Sequence, residues 1–385
     1  MGSSKLPASA ALAALVLALA ATTLSGCSTS SSGAPTTTTT TPGFQHAGPA
    51  PVGVTTLDLG SAGPVLGERA ATVFYPAAAT GVAGRPPFTY TESETLPTAL
   101  RGVLPAKYDT VTTVAGAYVD PPASTAGPYP VVLFSHGFGG ERLYYSHLLA
   151  GIASWGYVVV SADYLERGLA AQALKSTVTP SAAQDSAIMQ ASLAAALRAS
   201  GDPSSPMHGV ADATEVAAVG HSAGGQTAFD ALALPSVKTA IGWAPVGPAG
   251  APSGKPVMLI GAKGDSAVTP SYVAKTYRSF PGPKSLVEIS GEGHNTYTDI
   301  CTGIRSGGGL ISFAVANHFV TPQLAKLGIN GCEAADIAPE RFWPIVQFYT
   351  VLQLVHEFGG HPTATVPAPA LGQFPGFTVT VTQAA

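Results

Sequence analysis

The stretch that decides the fold is Glu215-Val-Ala-Ala-Val-Gly-His-Ser-Ala-Gly-Gly225, which lies just past the middle of the 385-residue chain. Its first residues are mostly apolar and predict a buried strand, whereas the sequence from Gly225 onward predicts a helix. Between them, G-x-S-x-G places Ser222 on a cramped turn from strand to helix. Small neighbours permit such a turn, which exposes the hydroxyl beside the first helical amides. We therefore predict that Ser222 is a nucleophile; the alternative is a serine that only caps the helix.

Around this stretch, from Pro130 onward, short apolar segments alternate with helical ones. Continuous apolar strands that alternate with helices are typical of a parallel sheet covered on both faces, so the sequence predicts an α/β fold for a domain spanning residues 52–385. Earlier in that domain, residues 80–129 are predicted to be rich in loops. The predicted strands are Thr72–Tyr75, Val131–Phe134, Tyr157–Ser161, Val216–Val219, Thr239–Trp243, Val257–Ile260 and Ser285–Ile289, and the predicted helices are Leu96–Leu104, Leu143–Trp155, Ala182–Arg198, Gly224–Leu232 and Pro339–Phe358.

A serine hydroxyl becomes a good nucleophile only when a positioned base accepts its proton. His294 is the predicted base, because it follows strand Ser285–Ile289 at the edge where parallel strands end and sites form. Asp265, which follows strand Val257–Ile260, is the predicted acid that fixes the histidine tautomer. Asp163 is the alternative acid, although a local capping role is favoured for it. The alternative bases are His318, His356 and His361.

His356 and His361 lie close together near an acidic residue, which superficially suggests a zinc site. Their spacing of five residues does not put them on one helix face, so no metal site is predicted there. No organic cofactor is predicted either, because a serine nucleophile with a base and an acid needs none.

The glycine-rich segment His136-Gly-Phe-Gly-Gly140 follows strand Val131–Phe134 directly. Such a loop lets backbone N–H groups converge on one point, so the amides of Phe138 and Ala223 are predicted to stabilise a developing oxyanion. His136 itself is predicted to hold the loop. Phe138, Tyr144 and Trp243 are predicted to wall an apolar pocket near the serine, with ordinary core packing as the alternative role for these aromatic residues.

The N-terminal region has the pattern of an export signal, with Lys5 followed by an apolar run from Ala8 to Leu24. The run ends in Leu24-Ser-Gly-Cys27, which resembles the bacterial lipoprotein signal; an ordinary secretory signal is the alternative. We predict a signal peptide at residues 1–26, lipid attachment at Cys27 as a membrane anchor, and a flexible Ser/Thr/Pro-rich tether at 27–51. The mature chain is then expected outside the cytoplasm.

Two cysteines remain in the predicted domain, Cys301 and Cys332. Outside the cytoplasm two such cysteines favour a disulfide over free thiols, so the pair is predicted to be linked.

The composition narrows the class of protein further. Apolar residues make up 46% of the chain, which is ample for a buried core, whereas only 10% of residues are charged. Lys and Arg total 18 against 22 Asp and Glu. A nucleic-acid partner is therefore not expected, because such a partner calls for a basic face.

Taken together, these stretches resemble the α/β-hydrolase superfamily, in which the triad runs serine, acid, histidine along the chain. The closer resemblance is to plasma-type platelet-activating-factor acetylhydrolases and the bacterial esterases and polyester hydrolases allied to them. It implies that Ser222 is acylated, His294 is the base and Asp265 completes the triad. The lipoprotein signal, the tether and the cysteine pair depart from the animal enzymes and favour a bacterial envelope esterase. The matching segments are Thr72–Pro76, Phe134–Gly139, Val219–Gly225 and Gly293–Asn295.

The expected function is therefore hydrolysis of carboxylic esters, with small-molecule, lipid or polymer esters as substrates. A peptidase or an acyltransferase that uses the same three side chains is the alternative among enzymes. A non-catalytic envelope-binding protein that retains the fold is the alternative from another class.

Overall fold

The computed structural model describes residues 43–291, 293–306, 310–359 and 365–384. The predicted signal peptide, Cys27, the first part of the tether and His361 lie outside these ranges. Within the described ranges, no helix combines the length and the hydropathy needed to cross a bilayer.

The described strands form a single sheet. Their bounds are β1 Val52–Ser61, β2 Glu68–Pro76, β3 Pro87–Thr91, β4 Val111–Val119, β5 Tyr129–Ser135, β6 Val158–Ala162, β7 Ala211–His221, β8 Val237–Trp243, β9 Val257–Ala262, β10 Lys284–Ile289 and β11 Val379–Ala384. The strand order is β11-β10-β9-β8-β7-β5-β6-β2-β1-β4-β3. Neighbours from β6 through β5 to β10 pair in parallel, and antiparallel β2 and β11 flank this block. All carboxyl ends of the parallel block therefore lie at one edge of the sheet.

The helices lie between these strands and in a C-terminal group. Their bounds are α1 Ser146–Ala153, α2 Leu169–Ala173, α3 Ala182–Gly201, α4 Ala223–Asp230, α5 Pro270–Ser279, α6 Ile300–Ser306, α7 Leu310–Ala316, α8 Pro322–Ile329 and α9 Pro339–Phe358. Short 3₁₀ turns at Ala79–Gly81, Glu92–Thr95, Thr98–Val103 and Ala231–Ala233 complete the regular structure.

The central strands are buried on both faces, and alternate residues feed two different cores. Along β5, Val132 and Phe134 pack into a cluster with residues of α1 and α9. Val131 and Leu133 face the other side and pack with residues of α3, α4 and α5. Because the buried residues of these strands meet apolar neighbours on both faces, the sequence shows a continuous apolar run at these positions. The predicted parallel sheet covered on both faces is confirmed.

The segment before β5 differs from its prediction. Residues 80–129, predicted to be loops, contain β3 and β4, which form the sheet edge beyond β1. Only Tyr90 in β3 and Val114 and Ala117 in β4 are buried, so these edge strands lack the buried apolar run that marks the central strands. The helix predicted at Leu96–Leu104 is the 3₁₀ turn Thr98–Val103.

The last part of the predicted tether, residues 43–51, lies on the domain, so the tether prediction was wrong there. Phe44 is buried against Trp155, with ring centroids 4.9 Å apart and nearly perpendicular planes. The side-chain amide of Gln347 in α9 donates hydrogen bonds to the carbonyls of Phe44 and His46, at 2.7 and 2.6 Å. An aromatic ring and two satisfied carbonyls are enough to hold this otherwise small and polar segment against the domain.

The predicted disulfide between Cys301 and Cys332 is confirmed, with a Cα–Cα distance of 4.8 Å. It joins the start of α6 to the residues just after α8. The segment 300–329, which contains α6, α7 and α8, is called the cap below. The disulfide thus closes the cap at its base.

Replacing both cysteines with serine is expected to lower the free energy of unfolding by about 3–4 kcal/mol. A cross-link between residues 31 positions apart restricts the conformations of the unfolded chain. When the disulfide is removed, the unfolded chain regains this conformational entropy, which stabilises the unfolded state. Urea unfolding followed by tryptophan fluorescence measures the effect, and the wild type in reducing agent is the matched control. Identical unfolding midpoints for oxidised protein, reduced protein and double variant would contradict the expectation.

Candidate active site

Ser222 lies on the turn between β7 and α4, with φ 56° and ψ −121°. Such a positive φ costs on the order of 1–3 kcal/mol in a residue with a side chain and persists only where packing holds it. The close approach of β5 does so: a Cβ on Gly224 would lie 1.9 Å from the carbonyl oxygen of Ser135. The backbone N–H of Ser222 also donates to the carbonyl of Trp243, at 2.9 Å. The turn therefore fixes the serine at the carboxyl edge of the sheet.

The structure brings the three predicted side chains together. Nε2 of His294 lies 2.9 Å from Oγ of Ser222, and Nδ1 lies 2.8 Å from Oδ2 of Asp265. The other carboxylate oxygen of Asp265 accepts backbone N–H groups of Ala267 and Val268, both at 2.8 Å. With the Nδ1 proton donated to Asp265, Nε2 is left to accept the serine proton. The arrangement can therefore generate an alkoxide-like nucleophile.

The alternative residues have other surroundings. Asp163 accepts a hydrogen bond from Arg142 at 2.9 Å and one from the N–H of Ala70 at 3.3 Å, so its carboxylate ties Arg142 to β2. His318 follows α7 and is exposed, and His356 lies in α9. Neither histidine contacts Ser222 among the described hydrogen bonds.

The glycine-rich loop after β5 lies against the serine, since a Cβ on Gly137 would be 3.1 Å from Cβ of Ser222. The N–H of Phe138 donates to no group within the described residues. Ala223 is the first residue of α4, so its N–H has no acceptor within the helix. Two amides thus remain available beside Ser222 Oγ. Their use as an oxyanion hole stays a proposal.

His136 has the surroundings predicted for a residue that holds the loop. Nδ1 donates to the carbonyl of Gly137 at 2.9 Å, and Nε2 accepts the N–H of Tyr164 at 3.0 Å. Burial, aided by the nearby guanidinium of Arg167, lowers the pKa of His136 to about 3. The ring is therefore neutral and joins the loop to the residues after β6.

Two further residues connect the parts of the site and were missed from the sequence. Nε2 of His221 donates to the carbonyl of His294 at 2.9 Å, and Nδ1 accepts the hydroxyl proton of Tyr145 at 2.9 Å. The same tyrosine oxygen accepts the N–H of Gly137 at 3.3 Å. Burial, together with the neighbouring His294, lowers the pKa of His221 well below its usual range. A neutral His221 and Tyr145 thus link the base to the glycine-rich loop.

Asn330, just beyond the cap, is the third such residue. Its side-chain oxygen accepts the backbone N–H of His294 at 2.8 Å and that of Ser266 at 3.3 Å. It therefore holds the loops of the base and the acid together. Nothing local in the sequence marks it, because its partners are 36 and 64 residues away.

A pocket opens beside the triad and contains about 1170 Å³ of space free of protein atoms, part of it open to solvent. As predicted, Phe138 and Tyr144 line it together with Ser222 and His294. The rest of the wall is mostly apolar, and the cap supplies much of it, including Ile304, Leu310, Ile311, Phe313, Val320 and Leu324. The described residues contain no group of three or more His, Cys, Asp or Glu side chains that could hold a metal ion.

The prediction that Trp243 walls this pocket was wrong. Trp243 ends β8 with its ring fully buried in the core, where it packs against Phe134 and Tyr297. Its indole N–H donates to the hydroxyl of Thr350 in α9, at 3.1 Å. The side chain lies on the face of the sheet covered by α9, away from the pocket wall.

Comparisons with known proteins agree with this geometry. Residues 110–248, which include the glycine-rich loop and Ser222, match a family model described as Chlorophyllase. The whole fold is similar to that of a ferulic acid esterase from Streptomyces cinnamoneus, with a TM-score of 0.61 and 20% sequence identity. That match covers 86% of this chain and 97% of the other. The predicted α/β-hydrolase fold is confirmed by this structural similarity.

Proposed function

We propose that this protein is a serine carboxylic-ester hydrolase that works through Ser222, His294 and Asp265. The observation that carries the proposal is the unbroken chain of contacts, 2.9 Å from Ser222 to His294 and 2.8 Å from His294 to Asp265. A binding protein has no need for a buried histidine held between a carboxylate and a strained serine.

The reaction proceeds in two halves. His294 Nε2 takes the proton of Ser222 as Oγ attacks the ester carbonyl, and the N–H groups of Phe138 and Ala223 donate to the resulting oxyanion. The imidazolium, stabilised by Asp265, gives its proton to the alcohol oxygen as the carbon–oxygen bond breaks. Water then attacks the acyl-serine, with His294 again as base, and releases the acid and free Ser222.

The lining of the pocket favours ester substrates that carry an apolar group. Its wall is dominated by aliphatic and aromatic side chains, which favour burial of hydrocarbon. We propose short-chain lipid or polyester esters, in keeping with the resemblance to platelet-activating-factor acetylhydrolases and polyester hydrolases. The lipoprotein-like N-terminus supports an enzyme attached by Cys27 to a membrane outside the cytoplasm.

Hydrolysis of a chain-length series of p-nitrophenyl esters tests the proposal, with a p-nitroanilide peptide and an added acyl-accepting alcohol in parallel. We expect turnover of the esters, little turnover of the anilide and release of acid rather than transfer to the alcohol. Predominant anilide cleavage would identify a peptidase, and predominant transfer an acyltransferase. No turnover above background with any ester would leave the binding-protein alternative.

Replacing Tyr145 with phenylalanine is expected to lower kcat for ester hydrolysis about 10-fold with little change in KM. The variant keeps the ring but leaves Nδ1 of His221 and the N–H of Gly137 without their partner, which loosens the base and the oxyanion loop. Steady-state kinetics measure the effect. Tyr157→Phe is the matched control, because the buried hydroxyl of Tyr157 has no hydrogen-bond partner among the described residues. Equal kinetics for both variants would contradict this positioning role.

A further inference from the structure

Glu92 is the only carboxylate among the described residues that line the pocket. It begins the 3₁₀ turn after β3 and is 8% exposed. Its backbone is fixed at two points: its N–H donates to the carbonyl of Thr110 at 3.0 Å, and its carbonyl accepts the hydroxyl of Thr95 at 2.7 Å. The carboxyl group is therefore held in place on an otherwise apolar wall.

The two oxygens of Glu92 have different surroundings. Oε1 accepts the hydroxyl proton of Tyr144 at 2.8 Å, and the Tyr144 oxygen lies 3.1 Å from Oγ1 of Thr95. Oε2 has no hydrogen-bond partner within the described residues. The cap approaches Oε2 at Gly303, where an added Cβ would lie 3.9 Å from this oxygen and 3.9 Å from the hydroxyl oxygen of Thr110. Glu92 thus lines the pocket with one carboxyl oxygen that has no partner within the described residues.

A purely hydrocarbon substrate is a poor match for this wall. It would strip water from Oε2 and put nothing in its place, and an unpaired buried polar group is costly. A substrate that brings a hydrogen-bonding group to Oε2 avoids that cost while its apolar part contacts the cap.

We propose, on the basis of the function proposed above, that the pocket selects esters whose apolar portion carries a hydroxyl group, which forms a hydrogen bond with Oε2 of Glu92. Glu92 and Tyr144 are then specificity-determining residues for the ester hydrolysis performed by the triad. A hydroxyl fits better than an ammonium, because burial raises the pKa of Glu92 to about 7: a hydroxyl can donate to the ionised Oε2 or accept from the protonated one, whereas an ammonium can only donate.

The test compares ethyl esters in pairs, an alkanoate and the ω-hydroxyalkanoate of the same chain length, over several lengths. For the wild type we expect the hydroxy ester to have a 10- to 100-fold higher kcat/KM at the length that reaches Glu92, on the order expected for one buried hydrogen bond. Glu92→Leu is expected to abolish this preference. Glu92→Gln is expected to keep most of it, because a hydroxyl pairs with either an amide oxygen or an amide N–H.

Glu357→Leu is the matched control. Burial raises the pKa of Glu357 to about 7 as well, but this residue lies in α9 and is not among those that line the pocket. The control is expected to retain the wild-type ratio between the paired esters. This ratio reports selection directly, whereas a general loss of folded enzyme lowers both rates alike.

The outcomes separate this inference from the proposed function. Absence of turnover for every ester would overturn both. Turnover of the alkanoates with no preference at any length, or a preference that survives Glu92→Leu, would overturn the inference alone. Loss of the preference in Glu92→Gln would show that charge does the selecting and would also overturn it. The wild-type and glutamine results decide the matter even where the leucine variant does not fold.

Discussion

Replacing Ser222 with alanine is expected to lower kcat for p-nitrophenyl ester hydrolysis on the order of 10⁶-fold. The variant has no oxygen to attack the carbonyl, so only substrate binding and the amides of Phe138 and Ala223 remain to assist water. KM is expected to change little, because the substitution removes only one hydroxyl from the pocket wall. Alanine meets the same backbone strain at φ 56° as serine, so the fold is expected to persist.

Two controls accompany this measurement. Ser271→Ala removes an exposed hydroxyl in α5 and is expected to keep wild-type kinetics. A fluorophosphonate probe, which modifies activated serines, is expected to label the wild type at residue 222 and to leave the alanine variant unlabelled. A variant with more than a few per cent of wild-type turnover would exclude Ser222 as the nucleophile.

Replacing Asp265 with asparagine is expected to lower kcat by about 10⁴-fold while the site keeps its shape. In the proposed mechanism, the carboxylate fixes the proton on Nδ1 of His294 and stabilises the imidazolium as the serine proton moves. A neutral amide provides no such charge and can hold the ring in the wrong tautomer. Steady-state kinetics and a fluorophosphonate labelling rate, both expected to fall, measure the effect.

Asp163→Asn is the matched control, because Asp163 is the other aspartate that follows a strand of the parallel block. Its carboxylate pairs with Arg142, so its replacement is expected to lower the free energy of unfolding while kcat per folded molecule changes little. If activity were lost only in the Asp163 variant, Asp163 and not Asp265 would be the acid of the triad.

The parts of the site that the sequence predicts correctly are those fixed by local patterns. Ser222 follows from a tight turn that only small neighbours allow, and the parallel block follows from apolar strands such as β5. His294 and Asp265 follow because loops after parallel strands meet at one edge of the sheet. These predictions depend only on the order of residues along the chain and on local steric limits, and both can be read from the sequence.

The parts that it does not predict depend on distant segments. Asn330 and Tyr145 contact the site only once the cap and α1 are in place. Glu92 comes from a 3₁₀ turn in a region whose edge strands have no strong apolar pattern. For Trp243, the prediction of a position at the end of a strand beside the site was correct, but the predicted contact with the pocket was wrong. Packing against α9 determines the face of β8 on which the ring lies.

The disulfide at the base of the cap encloses many residues of the pocket wall but none of the three triad residues. Residues between Cys301 and Cys332 supply much of the apolar wall, whereas Ser222, His294 and Asp265 all lie outside that interval. Substitutions of the cap side chains that line the pocket are therefore expected to change the apolar wall, whereas Asn330, in the same interval, must stay because it holds the loop of His294. The covalent link holds both ends of the interval together when side chains between them are replaced, so the pocket wall can change while the positions of Ser222, His294 and Asp265 are kept.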